Sequence, residues 1–518
     1  MTNQQWSVVK EINVPHDLSI SDPIHLEYYN IQVSSVRYLY IKIEILNEEN
    51  KVVNEVSGTA TDGSYNISAE SIIRRTCDLT FKLEEGYLPN DNDSIFWINK
   101  KFHLYVGLGN IQQDKIYWFD KGIYAIKDPN INITVNNNTI KISGLDKMAL
   151  YSGDINGKLP YATKVTVDSN CTRREVVQAI MTDAGELESN INIENPENYQ
   201  YMDEIIPYDI ESSIGDCITD SLDKVIETLA NYQYYYDLNG IFNFKPKPVN
   251  SNFKNYNIEW DFERNNNVII SIDRSIDYSN VKNRVTVVGG VCDDGYQPTY
   301  TLELSNDNED FGHSPFTYDK LNEKHPDGTV MYRDYVEQCD TFTDVIFDFE
   351  VFDSTVNNNV NYYKNYCVKY NNKTNENDED NYTYYLCINN TNNSKGTPNS
   401  NSNDWQEICT VNYLESVTND VNNGVDGKET EFNNLMEQIH AYSIQQCKDK
   451  ANELMFSCYL ANDTITITCV PIYSLDVNNI IIVNDEESGA KGFYVVKEIS
   501  CQLNASGTMT ITAHKLWD

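Results

Sequence analysis

Hydrophobic and polar residues alternate along much of the first 150 residues of the chain. The apolar side chains of Cys77, Leu79 and Phe81 are separated by single polar residues. This period of two predicts a strand with one buried face and one face in solvent. The dipeptide Asp62-Gly63 lies between two alternating runs and is typical of a hairpin turn. Further short strands are predicted at residues 102–108, 115–126 and 138–145. Such spacing favours a small barrel or sandwich for residues 1–150.

Residues 151–250 change to a helical period. Thr172 and Glu175 fit a capping box in front of an apolar run, and Gly185 is a suitable residue to follow the end of that helix. A second amphipathic helix is predicted from one apolar stripe: Ile214, Cys217, Ile218, Leu222, Val225, Ile226 and Leu229. Asn239-Gly240 then predicts a hairpin between two short strands. These elements indicate an α+β domain.

The second half of the chain returns to strands but is interrupted. Residues 251–345 predict the first part of a second β domain. Residues 346–412 are polar and rich in asparagine, with aromatic strands between loop-like segments, and are interpreted as an inserted module. Residues 413–518 predict a helix from residue 428 and strands that complete the second β domain. The expected fold is mainly β with α+β portions: two barrel-like β domains, an α+β domain and a small inserted β module.

The charge of the chain limits its partners. Lys and Arg number 39 and Asp and Glu number 78, which gives a formal net charge of −39. Binding to a nucleic-acid backbone requires clustered Lys and Arg, and so does binding to an anionic membrane. No sequence-specific nucleic acid and no membrane insertion are therefore expected. High acidity favours solubility and attracts cationic partners.

Targeting signals and paired cysteines are not evident. The N-terminus has no basic segment followed by a long apolar stretch, and no run of 18 apolar residues occurs, so neither a signal peptide nor a membrane-spanning helix is expected. The 12 cysteines include no C-x-x-C pair. Free buried thiols are predicted rather than a disulfide framework.

The familiar catalytic motifs are also missing. The chain has no H-E-x-x-H, no G-x-S-x-G and no Walker A loop. No catalytic residue and no cofactor are predicted, and the protein is not expected to be an enzyme. Asp420, Asn422 and Glu431 match positions 1, 3 and 12 of a calcium loop, but position 6 is Val425 where the turn requires glycine. A solvated acidic loop without a metal is the preferred interpretation.

Several stretches together resemble one protein family. They are residues 63–81, 94–108, 117–129, 144–160, 234–244, 278–290, 469–483 and 494–516. In sequence and order these stretches resemble the baseplate hub, or tail-associated, proteins of tailed bacteriophages and related contractile particles. The resemblance covers most of the chain except the insertion.

This resemblance implies a structural role at the tail tip of a virion that is assembled in the bacterial cytoplasm. The expected assembly is a homotrimeric ring that joins the tail tube and distal tail protein to a spike or fibre and surrounds the tape-measure protein. An acidic inner surface of the ring would repel DNA during passage. Tail-associated lysins often carry a C-terminal peptidoglycan-degrading domain, whereas this sequence stops at its closing hairpin. A glycan-binding adhesin is the main alternative, and a cell-wall hydrolase is the less favoured one.

The insertion resembles the small carbohydrate-binding modules of chitinases. The matching pattern is a strand that ends in Tyr370, a strand that contains Tyr385, a loop with Pro398 and then Trp405. The resemblance implies host-glycan binding through exposed rings, with Tyr366, Tyr370, Tyr385 and Trp405 as candidates. The alternative is that Tyr370, Tyr385 and Trp405 form the core of the module, because so short a fold has few other large apolar residues.

Arg74 and Arg75 are adjacent cations in an acidic chain. Side chains of neighbouring strand residues point to opposite faces, so the two are not expected to hold one ligand together. One is predicted to face a rim or a neighbouring subunit, and the other to face solvent or a loop. Both are therefore candidate interface residues.

Overall fold

The computed structural model describes most of the chain. The described residues are 9–16, 19–34, 37–58, 62–84, 87–98, 100–110, 114–135, 138–165, 171–196, 199–206, 209–248, 253, 257–263, 266–344, 347–349, 360–373, 379–461, 463–504 and 506–517. No helix among them is long and apolar enough to cross a membrane. The fold is mainly β with α+β portions, as the sequence predicts.

The N-terminal part is a set of β-strands with one helix packed against it. Its strands are β1 Lys10–Asn13, β2 Tyr38–Leu46, β3 Val52–Gly58, β4 Asp62–Ser68, β5 Arg75–Lys82, β6 Lys101–Gly109, β7 Lys115–Ile133 and β8 Asn138–Asp146. The helix is α1 Pro23–Gln32, which the sequence analysis did not predict. Proline at the first helical position suits the start of α1 because that residue has no free N–H to satisfy. In β5 the predicted alternation is confirmed: Cys77, Leu79 and Phe81 are buried.

The predicted turn at Asp62-Gly63 is wrong. Both residues belong to β4, where Gly63 pairs with Leu79 of β5. A Cβ atom at Gly63 would lie 2.9 Å from the carbonyl oxygen of Asp78. The glycine therefore permits a close approach of two strands, which the dipeptide alone does not distinguish from a turn.

The α+β part has its own core. Its elements are β9 Thr163–Val165, α2 Arg173–Asp183, β10 Ile191–Ile193, β11 Ile210–Ser212, α3 Ile218–Ile226, β12 Tyr232–Tyr236 and β13 Phe242–Pro246. The capping box is confirmed, with Thr172 and Glu175 each accepting a hydrogen bond from the backbone N–H of the other. The second helix is shorter than predicted, because Ile214 lies before it and is exposed. The hairpin around Asn239-Gly240 is confirmed between β12 and β13.

The second half of the chain supplies the remaining large β portion. Before the insertion lie β14 Ile258–Asp261, β15 Ile269–Ile276, β16 Arg284–Gly289, β17 Thr299–Glu303, α4 Tyr318–Leu321 and β18 Asp334–Cys339. After it lie α5 Val411–Asn422, α6 Lys428–Ile439, α7 Ala441–Ala461, β25 Asp463–Cys469, β26 Ile480–Asp485, β27 Ala490–Gln502 and β28 Met509–Lys515. Helix α6 begins at the predicted residue 428. Helix α7 packs over β16 and β17.

The inserted module is a separate small sheet. Its strands are β19 Phe347–Asp348, β20 Asn361–Tyr362, β21 Cys367–Asn371, β22 Tyr382–Cys387, β23 Thr391–Asn392 and β24 Trp405–Thr410. The order in the main sheet is β19-β21-β22-β24, and β20 pairs with β23.

The two large β portions are joined edge to edge. Strand β27 pairs antiparallel with β4, with Ile499 opposite Ile67 and Cys501 opposite Tyr65. Among the described residues this makes one 14-stranded sheet whose main path runs β15-β25-β28-β27-β4-β5-β8-β7-β6-β2-β3. The described strands do not close into a barrel along this path. One buried apolar core extends across the join.

Candidate functional site

Arg75 ties three parts of the fold together. Its Nη2 donates to Asp476 Oδ2 at 2.6 Å, in the segment between β25 and β26. Its Nη1 donates to the carbonyl oxygen of Tyr236 in β12, at 3.2 Å. Its backbone N–H donates to Asp146 at the end of β8, at 2.9 Å. The side chains of Arg75 and Asp476 are 5% and 6% exposed, so they form a buried ion pair between the two β portions. The hydrogen bond from Arg75 to Tyr236 adds the α+β part to this contact.

The charges at this junction are strongly coupled. Burial alone would raise the pKa of the Asp476 carboxyl, but Arg75 and His16 outweigh burial and hold that pKa well below its usual range. His16 lies 3.3 Å from Asp476 and is the more exposed partner. Burial also acts to lower the pKa of Arg75, and Asp476 raises it beyond its ordinary value. Both groups are therefore ionised, because each removes the cost of burying the other.

Arg74 contacts the same strand of the α+β part in another way. Its guanidinium lies over the ring of Tyr235, 3.6 Å from the ring centre. Its Nη2 donates at 3.3 Å to Gln233 Oε1 and at 3.3 Å to the carbonyl oxygen of Ala69. Stacking on an aromatic face stabilises a guanidinium that has lost water.

The expected exposure of one of the two arginines is wrong. Arg74 and Arg75 are each 5% exposed, and both contact β12. Arg74 precedes the first residue of β5, so the rule that adjacent strand residues face opposite ways does not apply to the pair. Their role at an interface with a neighbouring subunit stays a prediction.

Two clefts open beside the arginines. One has a volume of about 490 Å³ and is lined by both arginines and by polar side chains that include His16, Asn239 and Asp476. The other has a volume of about 480 Å³ and is lined by Arg74, but not by Arg75. At this junction of β5, β12 and the segment around Asp476, charged side chains therefore meet cavities large enough for a ligand.

The described rings of the inserted module pack mainly into its core. Tyr385 and Trp405 are 4% and 3% exposed. The ring of Trp405 contacts Tyr362 at 5.3 Å between centres, in an edge-on arrangement. Tyr370 is half-buried, and its ring lies perpendicular to that of Phe349 with the centres 5.5 Å apart. Of the four predicted glycan contacts, Tyr385 and Trp405 therefore take the place that the core interpretation assigned to them.

Tyr366 lies on another side of the module, against the α+β part and α7. Its ring is perpendicular to that of Tyr442, with centres 5.2 Å apart. Tyr442 donates a hydrogen bond to Glu204, which also pairs with the buried Arg173 at 3.2 Å. Nearby, Tyr363 Oη donates to the carbonyl oxygen of Asp203 at 2.8 Å. Tyr366 thus belongs to the contact between the inserted module, the α+β part and α7.

A buried histidine at the base of the insertion was not predicted. His440 lies between α6 and α7 and is 1% exposed. Its Nε2 is 2.9 Å from Asp294 Oδ2, and its Nδ1 is 3.2 Å from Asp344 Oδ2. Burial by itself lowers the pKa of His440, but the two aspartates outweigh burial and raise the pKa to about 11. No sequence signal could identify this cluster, because Asp294 is 146 residues away from His440.

The segment considered as a calcium loop is largely helical. Asp420 and Asn422 lie in α5, and Glu431 lies in α6. Glu431 accepts hydrogen bonds from Tyr413 and Lys428. Within the described part of the chain, no group of three or more His, Cys, Asp or Glu side chains is placed to hold a metal ion.

Comparison with known sequences gives no match. No protein-family model matches the chain, and no curated protein matches it.

Solved structures of several tail proteins are similar to the chain at low sequence identity. The tail protein from Neisseria meningitidis MC58 has a TM-score of 0.47 at 8% identity, with 92% of this chain and 98% of that chain covered. The 43 kDa tail protein of prophage MuSo2 from Shewanella oneidensis has a TM-score of 0.42 at 9% identity, with 92% and 98% covered. Prophage tail protein gp18 from Listeria monocytogenes EGD-e has a TM-score of 0.39 at 9% identity, with 92% and 95% covered.

Proposed function

We propose that this protein is a structural subunit of a bacteriophage tail tip, where three copies form the ring of a baseplate hub. The ring joins the tail tube and distal tail protein to a spike or fibre protein. It surrounds the tape-measure protein and lets the genome pass. The protein is assembled in the bacterial cytoplasm and resides in the virion tail. It has no catalytic task in this proposal.

The observation that supports the proposal is the join between β4 and β27. Pairing of these strands makes the two large β portions into one continuous sheet, and the buried Arg75, which pairs with Asp476, also donates a hydrogen bond to Tyr236 of the α+β part. A large apolar interface limits the relative motion of domains, and one apolar core extends across the join. A ring that transmits force from a tail tube to a tip requires such a stiff subunit.

Mass measurement and tail assembly test this proposal. The purified chain is expected to have three times the 59.5 kDa of one copy in light scattering or native mass spectrometry, alone or with its distal tail partner. Deletion of its gene from a phage or prophage is expected to give tails without a tip in electron micrographs, and the gene in trans is expected to restore the tip. A stable monomer that no tail protein binds, together with normal tails after deletion, would contradict the proposal.

The charge of the ring lumen is a further part of the proposal. A net charge of −39 per copy allows an acidic inner surface that repels the DNA backbone. A structure of the trimer in which the carboxylates point away from the ring axis would contradict this part and leave the structural role intact.

Glycan binding by the inserted module is a second candidate function, and half-buried Tyr370 supports it. Its ring contacts Phe349 and Tyr385 but is partly exposed, whereas Trp405 is buried. We expect the full chain to be retained on host cell walls, and the Tyr370→Ala variant to be retained less. The matched control is Tyr161→Ala, because Tyr161 is 66% exposed and lies outside the module. Equal retention of both variants would remove Tyr370 from the site.

A further inference from the structure

Arg74 is a buried cation that pairs with no carboxylate among the described residues. The groups it contacts are the ring of Tyr235, the amide of Gln233 and the carbonyl oxygen of Ala69, and all three are neutral. Its Nε has no hydrogen-bond partner. Burial lowers the pKa of Arg74, although carboxylates beyond ion-pair distance, Asp476 among them, act to raise it. Buried charges are normally paired in direct contact, so an anion bound next to Arg74 would supply a partner that the described side chains do not provide.

A cleft reaches Arg74 from the side of the α+β part. It has a volume of about 480 Å³, and two lysines line it together with Arg74. Lys247 is paired with Glu453 at 2.7 Å. Lys497 of β27 makes no ion pair among the described residues; burial lowers its pKa, and the nearby Glu70 acts in the opposite direction. Two cations without a carboxylate in direct contact therefore line one cleft of a strongly acidic protein.

The remaining wall of this cleft determines the class of ligand. Ile226, Phe456 and Leu460 provide an apolar surface beside the cations. Carboxylates also line the cleft: Glu453 is paired with lysines, and Asp223 accepts a hydrogen bond from Tyr234. Glu70 is a further one, and it acts to raise the pKa of Lys497. These carboxylates repel a phosphate dianion more than a single carboxylate. A carboxylate next to an apolar side chain suits the cleft best.

We propose that this cleft, the Arg74 cleft, binds the free C-terminal carboxylate of a partner protein. The carboxylate lies between Arg74 and Lys497, and the terminal apolar side chain packs on Phe456 and Leu460. A C-terminal residue provides a charge and an adjoining apolar group in one unit. The proposal does not depend on the tail-tip assignment, because it concerns a site within one chain.

Calorimetric titration of the full chain with two short peptides tests the site. The probes are N-acetyl-leucyl-phenylalanine with a free carboxylate and the same peptide as its C-terminal amide. The acid is expected to bind at least about tenfold more tightly, because its carboxylate forms charge-assisted hydrogen bonds that the amide cannot form. Lys497→Gln is expected to remove most of this difference. Lys491→Gln is the matched control, because Lys491 is an exposed lysine on the same strand, and it is expected to leave both affinities unchanged.

A substitution of Arg74 itself is less informative, because that residue also holds β12 in place. Lys497→Gln therefore carries the test, and its thermal midpoint is measured beside that of the unchanged chain. Equal affinity for acid and amide, or no binding of the acid at millimolar concentration, would overturn the proposal. Displacement of the acid by an equal concentration of inorganic phosphate would also overturn it, because the cleft would then be a general anion site.

Discussion

Arg75 and Asp476 are 401 residues apart in sequence and form a buried ion pair at 2.6 Å. We predict that Asp476→Asn destabilises the protein by about 3–5 kcal/mol, because it leaves the Arg75 cation buried without its counter-charge. The midpoint of urea denaturation at pH 7 measures the loss. Arg284→Gln is the control: it breaks an exposed pair with Asp334 and is expected to cost at most about 1 kcal/mol. Equal shifts for the two variants would contradict the prediction.

The same carboxyl gives a prediction for acid. The pKa of Asp476 is lower in the folded protein than its ordinary value of 3.8. Its ionised form therefore stabilises the fold fully above pH 3.8, and this contribution is lost as the pH falls below that value. The difference in denaturation midpoint between the unchanged chain and Asp476→Asn is expected to shrink below pH 4, where Asp476 begins to lose its charge in the unfolded chain. A difference that keeps growing below pH 4 would contradict this assignment.

The sequence identified the arginine pair but not its partners. Two adjacent cations in an acidic chain are visible in a single sequence. Their partners Asp476 and Tyr235 come from segments that only the completed fold brings close. The expected exposure failed for the same reason, because a local strand rule contains no information about a third segment that covers the strand.

Among the elements, β4 shows how a local signal can mislead. We predict that Gly63→Ala destabilises the sheet by about 1–3 kcal/mol, because the added Cβ would meet the Asp78 carbonyl at 2.9 Å and force β4 and β5 apart. Asn66→Ala on the exposed face of the same strand is the control and is expected to change little. Thermal denaturation of both variants measures the effect. If Gly63→Ala were as stable as Asn66→Ala, the glycine would not be required for strand packing.

The base of the insertion gives a prediction at alkaline pH. The inserted module and helices α5 and α6 lie between Asp344 and His440 in the sequence. The contact of these two residues therefore joins the two ends of this long segment. The pKa of His440 rises from 6.5 to about 11 on folding, so its charge stabilises the fold fully below pH 6.5 and is lost as the pH approaches 11. His440→Gln is expected to lower the thermal midpoint at pH 6 and to differ less from the unchanged chain at pH 10.

The control for this prediction is His325→Gln, because His325 is an exposed histidine in the second β portion. It is expected to leave the midpoint unchanged at both values of pH. A His440→Gln variant with the same deficit at pH 6 and pH 10 would show that packing, and not charge, is the contribution of His440.

Helices and hairpins that are marked by a few adjacent residues could be predicted from the sequence. Features that depend on distant segments could not. The capping box at Thr172 and the hairpin at Asn239-Gly240 each need only a few adjacent residues, and both are present. Helix α1 was missed, although Pro23 suits a helix start, because the surrounding segments read as strand. Tyr385 and Trp405 could be recognised as important for the module, but whether they face a sugar or the core depends on the neighbouring strands.

For the whole molecule, the decisive feature is the join of β4 with β27, some 430 residues apart. A mainly β class with an α+β part follows from hydrophobic periods, which are local. The pairing of two distant edges does not follow from them, because either strand has the same alternation whichever neighbour it meets. The expectation of two barrel-like domains therefore did not include the pairing of β4 with β27.

This join predicts that the two β portions lose structure together. Ile67 of β4 is 1% exposed and lies opposite Ile499 of β27 in the shared core. We expect Ile67→Ala to cost about 2–5 kcal/mol. We also expect it to lower hydrogen-exchange protection in β28, the next strand beyond β27, as much as in β5. Cooperative units are those whose buried contacts are shared, and these strands share one core.

The inserted module provides the matched comparison. Val368 of β21 is fully buried in a core confined to the module. Val368→Ala is therefore expected to lower hydrogen-exchange protection in β22 and β24 and to leave β5 and β28 unchanged. If Ile67→Ala instead left β28 fully protected, the two β portions would be independent domains in contact, and the stiffness that supports the proposed hub role would be absent. If the two β portions are one cooperative unit, a single substitution in the N-terminal portion lowers protection in both, because the strands on each side of the join share one buried core.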